Sequence, residues 1–264
     1  MSKRNWLVGL FVSLYVGMLS AGGVNSSGAS GLNGGLSMYI NAAEGGDISD
    51  RRLSHLQDYF QKRQCNIQVI TAGHKSAGAF DADIVFMPLK QEIPAPFQKV
   101  FGLSVVDDQF LSASLLVRSS TGINDLTKLG GVRIAFLSPN SVTGFYWQKK
   151  LLHNAGVMLK KDLITFTNSN LGAMSLLLHK DVFAAGVATP LAKKWAKAND
   201  LTIVAESPRV ETGGLWMKRG VAQRDIDQCK KLFKNLFENN SDRAIKKLVK
   251  VFPVWVDGFV SVAG

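Results

Sequence analysis

Residues 138–144 read Ser-Pro-Asn-Ser-Val-Thr-Gly and stand where an apolar stretch gives way to a helical pattern. The first turn of a helix leaves backbone N–H groups unpaired and carries a partial positive charge, so a helix start is a natural seat for an anion. One hydroxyl is enough to cap such a start. Ser138, Ser141 and Thr143 supply three, and Gly144 would let an anion come close to the backbone. Two later turns have related chemistry: Asn168-Ser169-Asn170, and Thr189-Pro190, with proline suited to the first helical position. Taken singly, these two read first as plain helix caps, with ligand binding as the second reading. The candidate ligand-binding residues are therefore Ser138, Ser141, Thr143, Gly144, Asn170 and Thr189, and the chemistry they suggest is capture of a small oxyanion.

Other chemistry finds little support. The four histidines, at 55, 74, 153 and 179, form no HxxxH pair, and Cys65 and Cys229 form no CxxC, so no metal site is expected. No GxSxG occurs, and Gly73-His74-Lys75-Ser76 lacks the spacing of a phosphate loop. Neither catalytic residues nor a cofactor is expected, and an enzyme is not the reading. A formal charge of +11, from 31 basic and 20 acidic residues, favours anionic partners in general. The basic C-terminal run from Lys230 to Lys250 reads as a solvated face; it has no interleaved aromatics to stack bases, so nucleic acid is not expected as a partner.

The turns need strands and helices to hold them. Apolar runs at 36–40, 66–71, 83–87, 100–106 and 112–118 read as strands, the third ended by Pro88, with a helix from Asp50 whose apolar face is Leu53, Leu56, Tyr59 and Phe60. A tighter series follows: strands at 132–137, 163–166 and 182–187, each leading into a helix, then a strand at 201–205. Strand, helix, strand is the rhythm of a parallel α/β sheet, whose ligands bind beyond the carboxyl ends of the strands. A strand at 213–218 and two helices complete the chain. The first of these helices has Ile226, Cys229, Leu232, Phe233, Leu236 and Phe237 on one face. Trp147, Trp195, Trp216 and Trp255 read as core or lobe-face residues, with Trp216 placed to edge a cleft.

The N-terminus has the layout of an export signal: Lys3 and Arg4, an uncharged apolar stretch over 6–19, then Ser20, Ala21, Gly22 and Gly23. Fourteen residues rise about 21 Å as a helix, short of the roughly 30 Å hydrocarbon core. Residues 1–22 therefore read as a cleavable signal peptide, cut after Ala21, Gly22 or Ala29, and 23–35 as a flexible Gly/Ser-rich leader. In an oxidising compartment Cys65 and Cys229 could pair; two buried free thiols are the alternative.

The run Asn124-Asp125-Leu126, Leu129 to Phe136, Ser138 to Gly144 and Ala155-Gly156-Val157 resembles the phosphate/phosphite/phosphonate substrate-binding proteins of ABC transporters, a group of type 2 periplasmic binding proteins. The resemblance implies an α/β, two-lobed clamshell of two parallel or mixed sheets flanked by helices. Lobe 1 would comprise 36–118 and 213–264, and lobe 2 would comprise 119–212 with hinge crossovers at its ends. It implies a monomeric periplasmic protein that delivers a small anionic ligand to an ABC permease. Signalling to a membrane sensor, or a clamshell without a ligand, are the other readings. Four positions depart from the family pattern: Val142 interrupts its hydroxyl run, Asn170 and Phe183 stand where histidine and an acid are usual, and Leu89 replaces a tyrosine after Pro88.

Overall fold

The computed structural model describes residues 35–71, 78–105, 109–221, 223–238 and 242–262, all within one compact unit, Gly31–Gly264. The signal peptide, nearly all of the leader and the 73–76 stretch lie outside the described residues.

Two mixed sheets form the architecture. The first has the order β12-β4-β11-β3-β1-β2, with β5 attached to β11. Its strands are β1 (Leu36–Ile40), β2 (Ile67–Thr71), β3 (Ile84–Leu89), β4 (Phe97–Ser104), β5 (Phe110–Leu111), β11 (Val210–Lys218) and β12 (Gly258–Ser261). β1 runs parallel to β2 and β3, whereas β11 and β12 pair antiparallel with their neighbours. Helices α1 (Asp50–Gln61), α5 (Gln223–Glu238) and α6 (Arg243–Leu248) belong to this lobe. α1 buries Leu53, Leu56, Tyr59 and Phe60, the face its spacing predicts. Phe60, Phe86, Phe233 and Phe252 are fully buried here, each contributing roughly 1.5–3 kcal/mol by leaving water. Cys65 and Cys229 are joined in a disulfide with Cα atoms 5.3 Å apart, tying the entry to β2 to α5.

The second sheet has the order β10-β6-β9-β7-β8, built from β6 (Ala113–Arg118), β7 (Ile134–Phe136), β8 (Ile164–Phe166), β9 (Ala184–Ala188) and β10 (Leu201–Glu206). β7, β8 and β9 are parallel and lead into α2 (Trp147–Asn154), α3 (Asn170–Leu178) and α4 (Thr189–Asn199). Alternation along β6 feeds two cores on opposite faces: Leu115 and Val117 pack with Phe136 and Leu152, Leu116 with Met174 and Leu177.

Three expectations change. Residues 113–118, read as the end of lobe 1, pair with β9 and β10 in the second sheet, because their flanking partners are distant in sequence and strand order is not a local property. The chain therefore crosses between sheets at Ser112 and returns through 207–209. Pro88 lies inside β3 rather than ending it: β1 pairs with β3 only as far as Phe86, so beyond that point β11 alone flanks the strand. β12, which has no strong alternation, is an added edge strand on β4.

Candidate functional site

The carboxyl ends of β7, β8 and β9 bring the three predicted turns to one end of the second sheet, where the loop after β1 meets them. At the first turn, Ser141 is the extended N-cap residue and its hydroxyl accepts the Gly144 N–H at 2.7 Å. A single π-helical turn, Val142–Tyr146, then runs into α2. Gly144 is required for packing: a Cβ there would stand 2.5 Å from the Leu137 Cβ. Its N–H is donated to the Ser141 hydroxyl in this structure.

Four other donors of this turn, on Ser141, Val142 and Thr143, point at one carboxylate. Glu44, in the loop after β1, is 2% exposed. Its Oε1 accepts the Val142 N–H at 2.6 Å, and its Oε2 accepts the Ser141 hydroxyl at 3.0 Å, the Thr143 N–H at 3.1 Å and the Thr143 hydroxyl. Val142, whose side chain interrupts the hydroxyl run, thus contributes through its backbone. The Ser138 hydroxyl reaches the Ala43 carbonyl at 3.4 Å. Burial raises the Glu44 carboxyl above its ordinary value of 4.5, against the opposing pull of the Thr143, Val142 and Ser141 hydrogen bonds. No ion pair reaches it among the described residues; dipoles and hydroxyls alone hold the anion.

The loop that carries Glu44 is firmly placed. Asn41 donates its N–H to Phe86 and accepts that of Ala43 on its side chain, and Asp47 donates its N–H to the Lys250 carbonyl at 2.7 Å. Gly46 has φ +124°, and a Cβ there would lie 2.4 Å from the Val251 carbonyl oxygen, so only glycine allows the approach. Asp47 also pairs with Arg52, which holds its carboxyl below the usual range and donates to the Lys247 carbonyl at 3.0 Å.

Asn170 begins α3 and is 5% exposed, with its Oδ1 unpartnered; its Nδ2 would lie 3.2 Å from a Cβ on Gly45. Five of the six predicted residues thus gather around the 43–45 loop or its support. Thr189 does not join them in hydrogen bonding: its hydroxyl pairs with that of Ser114 at 2.7 Å inside lobe 2. On the other side of the loop a pocket of about 780 Å³ opens between Gly46 and Ile48, the start of α3 at Ser169 and Asn170, Trp195 and Phe252. Trp195, not Trp216, is the tryptophan at the interlobe space; Trp216 packs with Tyr39, Val85 and Met87 on the far face of the first sheet. Phe183 is 42% exposed beneath the Arg118 guanidinium.

Sequence reasoning missed two residues. Glu44 is an isolated charge in a glycine-rich loop, its only signal being that it is the first charge after Arg4. Gln148 is completely buried and its Nε2 donates to the carbonyls of Thr143, Ser114 and Val187, fixing the helix start to β6 and β9. Among the described residues no group of three His, Cys, Asp or Glu could hold a metal, and no helix is long and apolar enough to cross a membrane.

A search of curated proteins found no match to the sequence. Among solved structures, the chain is similar to PhnD1 from Prochlorococcus marinus in complex with methylphosphonate, at 15% identity and TM-score 0.53, covering 87% of this chain and 93% of that one. It is similar to a binding protein component of an ABC phosphonate transporter from Pseudomonas aeruginosa, at 15% identity and TM-score 0.55, covering 86% and 81%. A Xanthomonas citri protein bound to chloride ion matches at 14% identity and TM-score 0.54, covering 86% and 91%. Likeness at this identity establishes the two-lobed type 2 periplasmic-binding fold. The model of the ABC transporter phosphonate periplasmic substrate-binding protein matches residues 57–263, well over half of the chain. The chain therefore belongs to the family of periplasmic substrate-binding proteins of phosphonate ABC transporters.

Proposed function

We propose that the chain is exported, trimmed within residues 21–29, and captures a phosphonate-class oxyanion between its lobes for an ABC permease. The observation that carries this reading is the cradle at Ser141, Val142 and Thr143, which already holds a carboxylate on two N–H groups and two hydroxyls. A phosphonate head presents oxygens of the same kind and charge sign. Charge-assisted hydrogen bonds contribute roughly 1.5–3 kcal/mol each, so four of them contribute about 6–12 kcal/mol before the cost of immobilising the anion, and further contacts from the other lobe would be needed for the roughly 8 kcal/mol of micromolar binding. That the Prochlorococcus relative is bound to methylphosphonate supports the same class of ligand here.

The lobes part about the two crossovers. These lie side by side: Ala113 accepts the Ser207 N–H at 2.8 Å and donates its own N–H to the Ser207 hydroxyl, and the Ser112 hydroxyl donates to Glu206 at 2.6 Å. Two adjacent strands bending together give a hinge with one axis.

A thermal-shift screen of phosphate, phosphite, methylphosphonate, sulfate and carboxylates tests the function. A ligand at about 100 times its dissociation constant adds about 2.7 kcal/mol, and methylphosphonate or phosphate is expected to give the largest shift. No shift with any oxyanion, in this protein and in its Glu44→Ala variant, would overturn the reading.

A further inference from the structure

The cradle is not open to solvent. One lobe fills it with a side chain of its own, and the loop bearing that side chain is fixed at Asp47 and Gly46, so the carboxylate leaves only when the lobes separate or its side chain turns away. We propose that Glu44 is a resident ligand: a carboxylate that lobe 1 inserts into the anion cradle of lobe 2, closing the cleft without solute and making every incoming oxyanion displace it. This rests on the reading of the cradle as the solute's anion site.

Three features carry the proposal. Both carboxylate oxygens are used, with partners on three consecutive residues of the other lobe. The side chain is 2% exposed, so an oxyanion cannot reach the same N–H groups while it is in place. Among the described residues no ion pair reaches it; its partners are the Ser141 and Thr143 hydroxyls and the backbone of Val142 and Thr143. An incoming anion therefore meets no charge that would hold both, and like-charge repulsion at contact makes occupancy exclusive. In a clamshell whose closed state is normally selected by solute contacts from both lobes, Glu44 supplies those contacts from within. The consequence is selectivity: a monoanion of carboxylate size gains little over the resident group, whereas a doubly charged tetrahedral head, with three oxygens, can outcompete it.

The test compares the full mature chain with Glu44→Ala and Glu44→Gln. Glutamine keeps the size of the side chain but turns an NH₂ group toward N–H donors, so it releases the latch without leaving a hole. Small-angle scattering without ligand should show the wild type compact and both variants opened. Calorimetry with methylphosphonate should show at least tenfold tighter binding to the variants, and millimolar acetate should reclose Glu44→Ala by restoring a carboxylate to the cradle. Equal affinity for wild type and variants, with identical scattering, would overturn the inference while leaving solute binding intact. If no oxyanion binds any of the three proteins, the proposed function fails. Scattering and acetate reclosure then decide the latch separately: opened variants support it and unchanged ones overturn it. Should Glu44→Ala not fold, Glu44→Gln carries the same comparison.

Discussion

Two helix starts in the second lobe use the same cap and do different things with it. Ser141 accepts the N–H of Gly144 at 2.7 Å, and Ser169 accepts that of Gly172 at 2.8 Å. At the first, the intervening N–H groups and a second hydroxyl converge on a buried carboxylate from the other lobe. At the second, the intervening residues are Asn170, with an unpartnered Oδ1, and Leu171, 72% exposed beside the interlobe pocket. A serine cap is thus common to an anion cradle and to an ordinary helix end. What separates them is Thr143, whose hydroxyl lies on the same side as its own N–H.

The largest expected difference between the two starts is in stability. A methyl group on Gly144 would press on the Leu137 Cβ at 2.5 Å, within a buried strand end that has little room to yield. On Gly172 it would meet the Ser169 hydroxyl at 2.9 Å and the Thr167 Cβ at 3.0 Å, at a more exposed turn. Gly144→Ala should cost about 3 kcal/mol and Gly172→Ala about 1 kcal/mol, overpacking being worst where neighbours are fixed; urea denaturation of the two variants measures both.

The next effect is on affinity. In the Glu44→Ala background, Thr143→Ala should weaken methylphosphonate binding about tenfold, the loss of one charge-assisted hydrogen bond, while Ser169→Ala leaves it within about twofold. With Glu44 present the Thr143→Ala loss should shrink, because the same hydroxyl also holds the competitor. Calorimetry on these five proteins, the wild type and Glu44→Ala being the two parents, would break the comparison if Ser169 mattered as much as Thr143. Ser169→Ala should still lose about 1 kcal/mol of stability as a plain cap.

The smallest effect is with pH. The Glu44 carboxyl is raised in the folded state, so the stability it contributes is fully present below its ordinary 4.5 and is lost as pH rises through the raised value. Relative to Glu44→Gln, the wild type should therefore lose stability as pH rises from its ordinary 4.5 through the raised value, with a slope of at most about 1.4 kcal/mol per pH unit for one proton. Parallel profiles for the two proteins would mean that Glu44 does not titrate in this range.

What the sequence made legible follows from how local each feature is. Helix α1 and the Ser141 turn are written in spacing over a few residues, and the strand–helix alternation of 132–199 follows from short-range hydrophobic pattern alone. The place of 113–118 was not legible, since an apolar run says that a strand is buried but not which partners bury it. Glu44 was hidden for a related reason. Its environment is made by residues 97 and more positions away, and an acidic side chain beside Gly45 and Gly46 looks like a solvated turn until the other lobe closes on it. Asn170 and Thr189 were chosen by the same capping argument as Ser141. The argument places residues at helix starts, but it does not say which starts face the other lobe, and Thr189 turns inward to Ser114.

The most direct measurement follows the backbone amides of the two helix starts by nuclear magnetic resonance while methylphosphonate is added to the Glu44→Gln protein. The account predicts that the Val142 and Thr143 resonances move on saturation, with those of Gly172 and Leu171 nearly still. Movement confined to Gly172 and Leu171, with Val142 and Thr143 unchanged, would contradict the assignment of the cradle.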